Sequence, residues 1–207
     1  MKHITKKEIL DMPRLERMHL INSCGGVKSA NLIGTISNQD ISNLAVFNSV
    51  IHLGSNPPML CFMLRPITVA RHTYDNMKST GEFTVNHIHQ DFIQQAHQTS
   101  AKYNENESEF EAVNLDTYFL PEFKAPFVKF SAIQIGCRFV NEYHIKEQNC
   151  HLIIGEIEHL RFEDNLQHKD GWLDLSKAKT AGIIGLDGYV ATELLDRFAY
   201  ARPNENS

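Results

Sequence analysis

Short strand-like runs separated by polar turns are the feature of this sequence that most restricts its fold. About six such runs, rich in β-branched and aromatic residues, lie between residues 31 and 162. They are NLIGTIS (31–37), NLAVFNSVIHL (43–53), MLCFML (59–64), EFTVNHI (82–88), FVKFSAIQIGCRFV (127–140) and HLIIGEIEHLRF (151–162). Most of the connections are short turns, which join antiparallel strands, whereas parallel strands need long crossovers. We therefore expect one mostly β domain, an antiparallel barrel or sandwich with a few helices.

The segments between these runs predict a few helices and one exposed excursion. HTYDNMKSTG (72–81) is typical of a short helix that Thr73 could cap and Gly81 could end. Residues 91–103 predict a second helix, with Asp91 as its cap. The first 20 residues predict a polar helix or arm. The acidic stretch NENESEFEAVN (104–114) predicts a solvated surface segment.

Charge and cysteine usage exclude several classes of protein. The formal net charge is −5, with acids and bases spread along the chain, which argues against a basic nucleic-acid-binding face. No apolar run approaches the roughly 18 residues of a membrane span, and the first residues lack the apolar core of a secretory signal. Four cysteines without CxxC spacing fit a reducing compartment better than a disulfide framework. We expect a cytoplasmic protein with no nucleic-acid or membrane partner.

The histidines and glycines of the sequence form no complete metal or nucleotide motif. His87 and His89 would share one face of a strand end, but no third ligand has motif spacing, so we expect a solvated strand end and no metal site. The sequences GxSxG, GxxxxGK[ST] and GxGxxG do not occur. Gly182, Gly185 and Gly188 are spaced by three, which predicts a turn rather than a dinucleotide fingerprint.

One segment does suggest an anion site. In RPITVARHTYDNM (65–77), Arg71 directly precedes the predicted helix start near Thr73. A helix N-terminus offers free N–H groups, and an adjacent arginine adds a fork of donors, so together they could hold a phosphate. The alternative is an arginine that is merely a surface residue.

The ordered set of motifs resembles a known family. The set comprises NLIGTISNQDISNLAVFNSVIHLGSNPPMLCFMLRP (31–66), HTYDNM (72–77), GEFTVN (81–86), NCHLIIGEI (149–157) and GLDGYVATELLDRFAYARP (185–203). It resembles the flavin reductase-like family of FMN-binding split barrels over roughly residues 30–203. The resemblance implies a six-stranded antiparallel split β-barrel over 30–203, with residues 1–29 as an N-terminal arm or helix on the barrel.

The resemblance also implies a cofactor and its site. FMN is expected, with FAD possible. The implied cofactor-binding residues are Asn48, Ser49, Val50 and Ile51 along the ring, Thr35 and Ser37 on the preceding strand, Arg71 and Thr73 at the phosphate, and His151 and Tyr189 near the site. Val46 stands where many members have proline, and Asn48 where many have serine. No residue is assigned a catalytic role, because the redox chemistry belongs to the cofactor.

The function implied by the resemblance is that of an NAD(P)H-dependent flavin reductase-like oxidoreductase. Hydride would pass from NAD(P)H to bound flavin and then to an acceptor, and a homodimer is expected. Two alternatives stay open at this point. One is an FMN electron-transfer protein without nicotinamide turnover, and the other is a non-catalytic ligand-binding split barrel.

Overall fold

The computed structural model describes residues 1–68 and 71–203. Strands dominate this part of the chain, which confirms the predicted mostly β fold. The strands are β1 (Lys28–Ser29), β2 (Asn31–Ile36), β3 (Ser42–Phe47), β4 (Ile51–Ser55), β5 (Pro58–Leu64), β6 (Glu82–His87), β7 (Thr117–Leu120), β8 (Phe123–Val128), β9 (Ile133–Ile145), β10 (Cys150–Phe162), β11 (Ala181–Ile184) and β12 (Gly188–Ala191). The helices are α1 (Lys6–Asp11), α2 (Arg14–Cys24), α3 (His72–Thr80), α4 (Ile93–Gln98) and α5 (Glu109–Ala112), with 3₁₀ turns at Gln90–Phe92 and Asp164–Leu166.

The main sheet has seven strands in the order β3-β2-β6-β9-β10-β5-β4, and every neighbouring pair is antiparallel. Two smaller sheets, β1-β11-β12 and β7-β8, complete the strands of the described residues. The main sheet has seven strands rather than six because the run 43–53 forms two strands. It breaks at residues 48–50, where the Ser49 hydroxyl donates to the carbonyl of Met63 and accepts from its N–H.

The core beneath the main sheet is built on aromatic contacts between strands. Phe62 of β5 packs edge-on against Phe47 of β3 and Phe83 of β6, with ring centroids 5.2 and 5.6 Å apart. Met77 brings α3 into the same cluster, and both Phe62 and Met77 are fully buried. Edge-to-face aromatic pairs add to the stabilisation that burial alone provides. The cluster therefore ties α3 to the strands that surround it.

The N-terminal helices contribute little to that core. Neither α1 nor α2 buries a residue, and α1 begins with a capping box between Thr5 and Glu8. The predicted helical character of this segment is confirmed, while the proposed boundary between residues 1–29 and 30–203 stays a prediction.

Two predicted helix caps are wrong. The N-cap of α3 is Arg71, and the Thr73 hydroxyl instead accepts a hydrogen bond from the Asn43 side chain. At the second site, the side chain of His89 accepts from the N–H of Asp91 and so caps a 3₁₀ turn. The C-terminal end of α3 is as predicted, because Gly81 adopts the left-handed conformation there, with φ of 78°.

The acidic stretch 104–114 is not fully solvated, contrary to expectation. Glu109 and Phe110 in α5 are buried, and Oε2 of Glu109 accepts a hydrogen bond of 3.0 Å from the N–H of Leu44 in β3. Burial raises the pKa of this carboxyl group. Helix α5 thus covers β3, one of the two edge strands of the main sheet.

Other sequence-level expectations concern membranes, cysteines and metals. Across residues 1–68 and 71–203, no helix is both long and apolar enough to cross a membrane. All four cysteines are free thiols. No group of three or more histidine, cysteine or acidic side chains in these residues could hold a metal ion. His87 is half-buried rather than solvated, and burial lowers its pKa to about 4.

Gly155 in β10 provides a test of core packing. A Cβ atom at this position would overlap the Phe83 ring, with Cε1 only 2.9 Å away. We expect Gly155→Ala to lower the free energy of unfolding by about 1–3 kcal/mol, the cost of overpacking a core. Gly54→Ala in β4 is the matched control, because its Cβ would lie an ordinary 3.6 Å from the Pro57 carbonyl oxygen. Equal urea midpoints for the two variants would contradict this packing.

His87 provides a pH test of stability. Its pKa is about 4 in the folded protein, below the usual value of 6.5, so the unfolded chain binds the proton more tightly. Its contribution is therefore fully present above the usual pKa and is lost as the pH falls towards 4. We expect unfolding free energies measured in urea to drop by about 2 kcal/mol more for the wild type than for His87→Gln between about pH 7 and 5. Identical pH dependence in both proteins would show that His87 is not buried as described.

Candidate functional site

Three segments that are distant in sequence meet at the C-terminal end of β5. The Ser49 hydroxyl binds the backbone of Met63, and His151 of β10 is the cross-strand partner of Leu64. Just beyond, Nη2 of Arg71 donates to the carbonyl of Pro66 at 3.4 Å. The chain therefore brings together the loop before β4, the start of α3 and the start of β10. We call this place the β5-end site.

The first component of the β5-end site is the loop 48–50 with the start of β4. Nδ2 of Asn48 donates to the carbonyl of Gly185 at 2.9 Å, and Val50 packs against the core while its carbonyl accepts from Ser29. Residues 48–50 bond to the rest of the described chain through the side chains of Asn48 and Ser49 and through the Val50 carbonyl. No backbone N–H of these three residues donates to the described chain. Ile51 is 59% exposed. The loop thus has backbone N–H groups without a partner in the described chain, next to an exposed apolar side chain.

Arg71 is the second component. Its carbonyl accepts from the N–H groups of Tyr74 and Asp75, at 2.8 and 3.0 Å, which starts α3 without a side-chain cap. Its Nε atom is buried and has no hydrogen-bond partner among the described residues. An unpaired buried donor of a cation is costly in a folded protein. The start of α3 therefore combines a helix N-terminus with an arginine that has a spare donor, as an anion site requires.

The third component is His151 with two neighbours that sequence reasoning missed, Tyr74 and Glu142. Oε1 of Glu142 accepts from the Tyr74 hydroxyl at 3.0 Å and from Nζ of Lys78 at 3.3 Å. Oε2 of Glu142 lies 3.9 Å from Nδ1 of His151, and both atoms are buried without a hydrogen-bond partner among the described residues. Burial, followed by the contact with Glu142, raises the pKa of Tyr74. The imidazole is thus flanked by a carboxylate and the Tyr74 ring, whose centroid is 6.0 Å away.

Thr35, Thr73 and Ser37 lie on the other side of α3. Two amide–hydroxyl pairs attach the helix to the sheet, from Asn43 to Thr73 at 3.0 Å and from Asn76 to Thr35 at 3.2 Å. Both threonines are buried, and the Ser37 hydroxyl accepts from the N–H groups of the turn at residues 39 and 41. In this structure the three side chains position α3 and its neighbouring turn. Their role as flavin ligands stays a prediction.

A small cavity of about 100 Å³ lies beside these hydroxyl groups. Its charged lining is dominated by carboxylates, those of Asp75, Glu105 and Glu107. Such a lining repels an anion, and the volume is far below the roughly 300 Å³ or more of a typical ligand pocket. This cavity is therefore a poor site for a phosphate.

Tyr189 lies in β12, outside these contacts. Its hydroxyl is 3.3 Å from Nδ1 of His97, and burial raises its pKa to about 12. The β11–β12 hairpin nevertheless reaches the loop at residues 48–50, because the carbonyl of Gly185 accepts from Asn48. The structure thus connects Tyr189 to the site only through its hairpin.

The residues present fit a flavin that carries a phosphate. An isoalloxazine ring carries oxygen and nitrogen acceptors along one edge, which suit the unused N–H groups of residues 48–50. A phosphate suits the unpaired Nε of Arg71 at the start of α3. Of the ten predicted residues, Ser49, Arg71 and His151 lie against the end of β5 or the residues that follow it, and Asn48, Val50 and Ile51 adjoin Ser49 in the chain.

Comparison with known proteins identifies the family of this chain. The family model of the flavin reductase like domain matches residues 26–177. A crystal structure from Shewanella frigidimarina NCIMB 400, assigned as a flavin reductase with a split barrel domain, is 43% identical in sequence. It covers 97% of this chain and 100% of its own, with a TM-score of 0.93.

More distant structures share the fold. Nitrilotriacetate monooxygenase component B from Bacillus cereus is 19% identical, with a TM-score of 0.83 over 96% of this chain and 98% of its own. Flavoredoxin of Desulfovibrio vulgaris (Miyazaki F) is 21% identical, with a TM-score of 0.72 over 84% of this chain and 92% of its own. The fold is that of the split barrel flavin reductases, and the chain belongs to the family of the flavin reductase like domain.

Proposed function

We propose that this protein is an FMN-binding oxidoreductase that accepts hydride from NAD(P)H and passes the electrons to an acceptor. One observation carries the proposal. The loop at residues 48–50, Arg71 and His151 converge on the end of β5, and together they offer donors for the edge of a flavin ring and for a phosphate. Membership of the flavin reductase like domain family supports the same chemistry.

The loop at residues 48–50 would hold the ring. Its N–H groups would donate to the pyrimidine edge, where negative charge collects when a flavin is reduced, and preorganised donors stabilise such charge. Val50 is fixed by the core and Ser49 by both backbone groups of Met63, so the loop is positioned before any ligand binds. The exposed side chain of Ile51 would lie against the ring. Bound FMN would supply the hydride-accepting chemistry.

The start of α3 would hold the phosphate. Helix α3 has nine residues and no side-chain cap, so its first N–H groups and the positive end of its dipole are available to an anion. The buried Nε of Arg71 would gain a charged acceptor. The amide–hydroxyl pairs to Thr35 and Thr73 would keep the helix start fixed relative to the sheet.

His151 would form the wall of the site between ring and helix. Glu142 and the Tyr74 ring flank the imidazole, and the carboxylate is itself fixed by the Tyr74 hydroxyl. These contacts restrict the orientation of His151 towards the space beside Leu64. Their effect would be to orient ligands in the site.

We further propose that the protein is a cytoplasmic homodimer. The four free cysteines support a reducing compartment. Family membership supports the dimer.

The flavin content of the purified protein tests the proposed function. We expect bound FMN, detected by its visible absorption band and identified by mass after release. Anaerobic addition of NADH or NADPH should bleach this band, because the bound ring accepts the hydride. Steady-state assays with added flavin or oxygen as acceptor would then show turnover.

Two results would contradict the proposal in different ways. If the protein contains FMN but neither NADH nor NADPH bleaches its absorption band, the electron-transfer alternative would replace the proposed reductase. A colourless protein that binds no FMN on titration would leave a ligand-binding barrel without flavin chemistry.

Arg71 gives a sharper test of the phosphate site. We expect Arg71→Ala to weaken FMN binding by about 1–3 kcal/mol, the scale of a lost charge-assisted hydrogen bond, or roughly 5- to 150-fold in Kd. Riboflavin, which has no phosphate, should bind wild type and variant alike. Arg14→Ala on the exposed face of α2 is the matched control and should leave both affinities unchanged. Equal FMN affinity in the Arg71 variant would remove Arg71 from the phosphate site.

A further inference from the structure

The C-terminal arm, residues 192–203, exposes large apolar side chains to an unusual degree. Within the described part of the chain these residues form no helix or strand. Leu195, Phe198 and Tyr200 are 91%, 88% and 89% exposed. Single exposed apolar residues are common on protein surfaces, but a run of them in one segment marks an interaction site.

The arm is nevertheless held in place by its own subunit. The Thr192 hydroxyl donates to the carbonyls of Leu175 and Thr180, at 3.3 and 2.9 Å. Further along, Nη2 of Arg197 lies 2.6 Å from Oδ2 of Asp170, and the guanidinium stacks over the Trp172 ring at 4.3 Å. These anchors fix the polar side of the arm and leave its apolar side chains in solvent.

Strand β4 is the uncovered counterpart of the arm. It is an edge strand of the main sheet, and Ile51, His52 and Leu53 are all exposed, so both of its faces lack cover. The opposite edge strand, β3, is covered by α5, with Leu44 bonded to Glu109. A bare apolar edge strand is an aggregation hazard that native proteins normally cover.

The arm does not cover β4 of its own subunit, and its path explains why. The β11–β12 hairpin touches the loop before β4 with its turn, where the carbonyl of Gly185 accepts from Asn48. The arm leaves from the opposite end of this hairpin at Thr192, and Arg197 then anchors it to residues 170–172. Within the described residues, the arm of the same subunit therefore leaves β4 open to another chain.

We propose that the C-terminal arm of one subunit packs over strand β4 of a second copy of this chain, so that two subunits exchange arms reciprocally. The available area suits such a dimer. An aromatic side chain buries about 150–250 Å². Two copies each of Phe198 and Tyr200 would therefore bury about 600–1,000 Å², and the leucines and the two β4 surfaces would bring the total into the range of about 1,200–2,000 Å² of stable interfaces.

This inference rests on the homodimer proposed above and does not depend on flavin binding. It does place the arm of the partner beside Ile51, at the margin of the β5-end site. All of its tests can be performed on protein without flavin.

The first test is the mass in solution by light scattering. We expect a dimer for the wild type, and at least a roughly 100-fold weaker dimer for Leu195→Ser/Phe198→Ser/Tyr200→Ser. Phe119→Ser/Phe130→Ser is the matched control, because these side chains are also exposed but lie outside the arm and β4. Circular dichroism would establish that each variant is folded. A monomeric wild type, or a triple variant that dimerises like the wild type, would overturn the proposal.

The second test identifies the chain that receives the arm. A photoreactive benzoylphenylalanine at position 198 would be introduced into chains labelled with ¹⁴N and ¹⁵N, which are then refolded together. We expect crosslinks to residues 51–55 that join the two isotopes. Crosslinks found only within one isotope, or only to other segments, would overturn arm exchange.

Discussion

The pairing of strand β5 on both sides is the constraint on which the core and the candidate site both depend. β5 is bonded to β10 along one edge and to β4 along the other. Leu60, Phe62 and Leu64 are buried at alternate positions in one core cluster, and a shift of one residue would turn all three away from that cluster, so the register of β5 is fixed. The same register holds Met63 and Leu64 where Ser49 and His151 reach them. The core and the candidate site therefore depend on the same register of β5.

Helix α3 divides two environments of opposite charge. Its start presents Arg71 and a positive dipole end towards the end of β5, whereas Asp75 faces the small cavity that Glu105 and Glu107 also line. An anion is attracted to the first side and repelled by the second. Asn43 and Asn76 hold the helix in this orientation by binding buried threonines on α3 and on β2. By fixing the orientation of α3, Asn43 and Asn76 therefore influence which side of the helix would suit a phosphate.

Much of this architecture could be predicted from the sequence, because strands leave a pattern of β-branched and aromatic residues and turns leave glycine and proline. The break between strands β3 and β4 at residues 48–50 could not be predicted, since it depends on the hydrogen bonds between the Ser49 hydroxyl and the backbone of Met63. Glu142 was missed for a similar reason. It lies 68 residues from Tyr74, and only the pairing of β9 with β10 brings its carboxylate near Tyr74 and His151. The acidic sequence around Glu109 predicted an exposed side chain. Its carboxylate is instead buried and accepts a hydrogen bond from the N–H of Leu44 in the edge strand β3. The family resemblance supplied the site residues, and the structure separates those at the end of β5 from those that attach α3.

The central claim is that flavin binds at the end of β5, between the loop at residues 48–50 and the start of α3. A crystal structure of the protein with FMN tests it most directly. The account predicts the phosphate within hydrogen-bond distance of Nε of Arg71 and the pyrimidine edge of the ring against the backbone N–H groups of residues 48–50. FMN bound elsewhere, or with its phosphate in the acidic cavity on the other side of α3, would contradict the account.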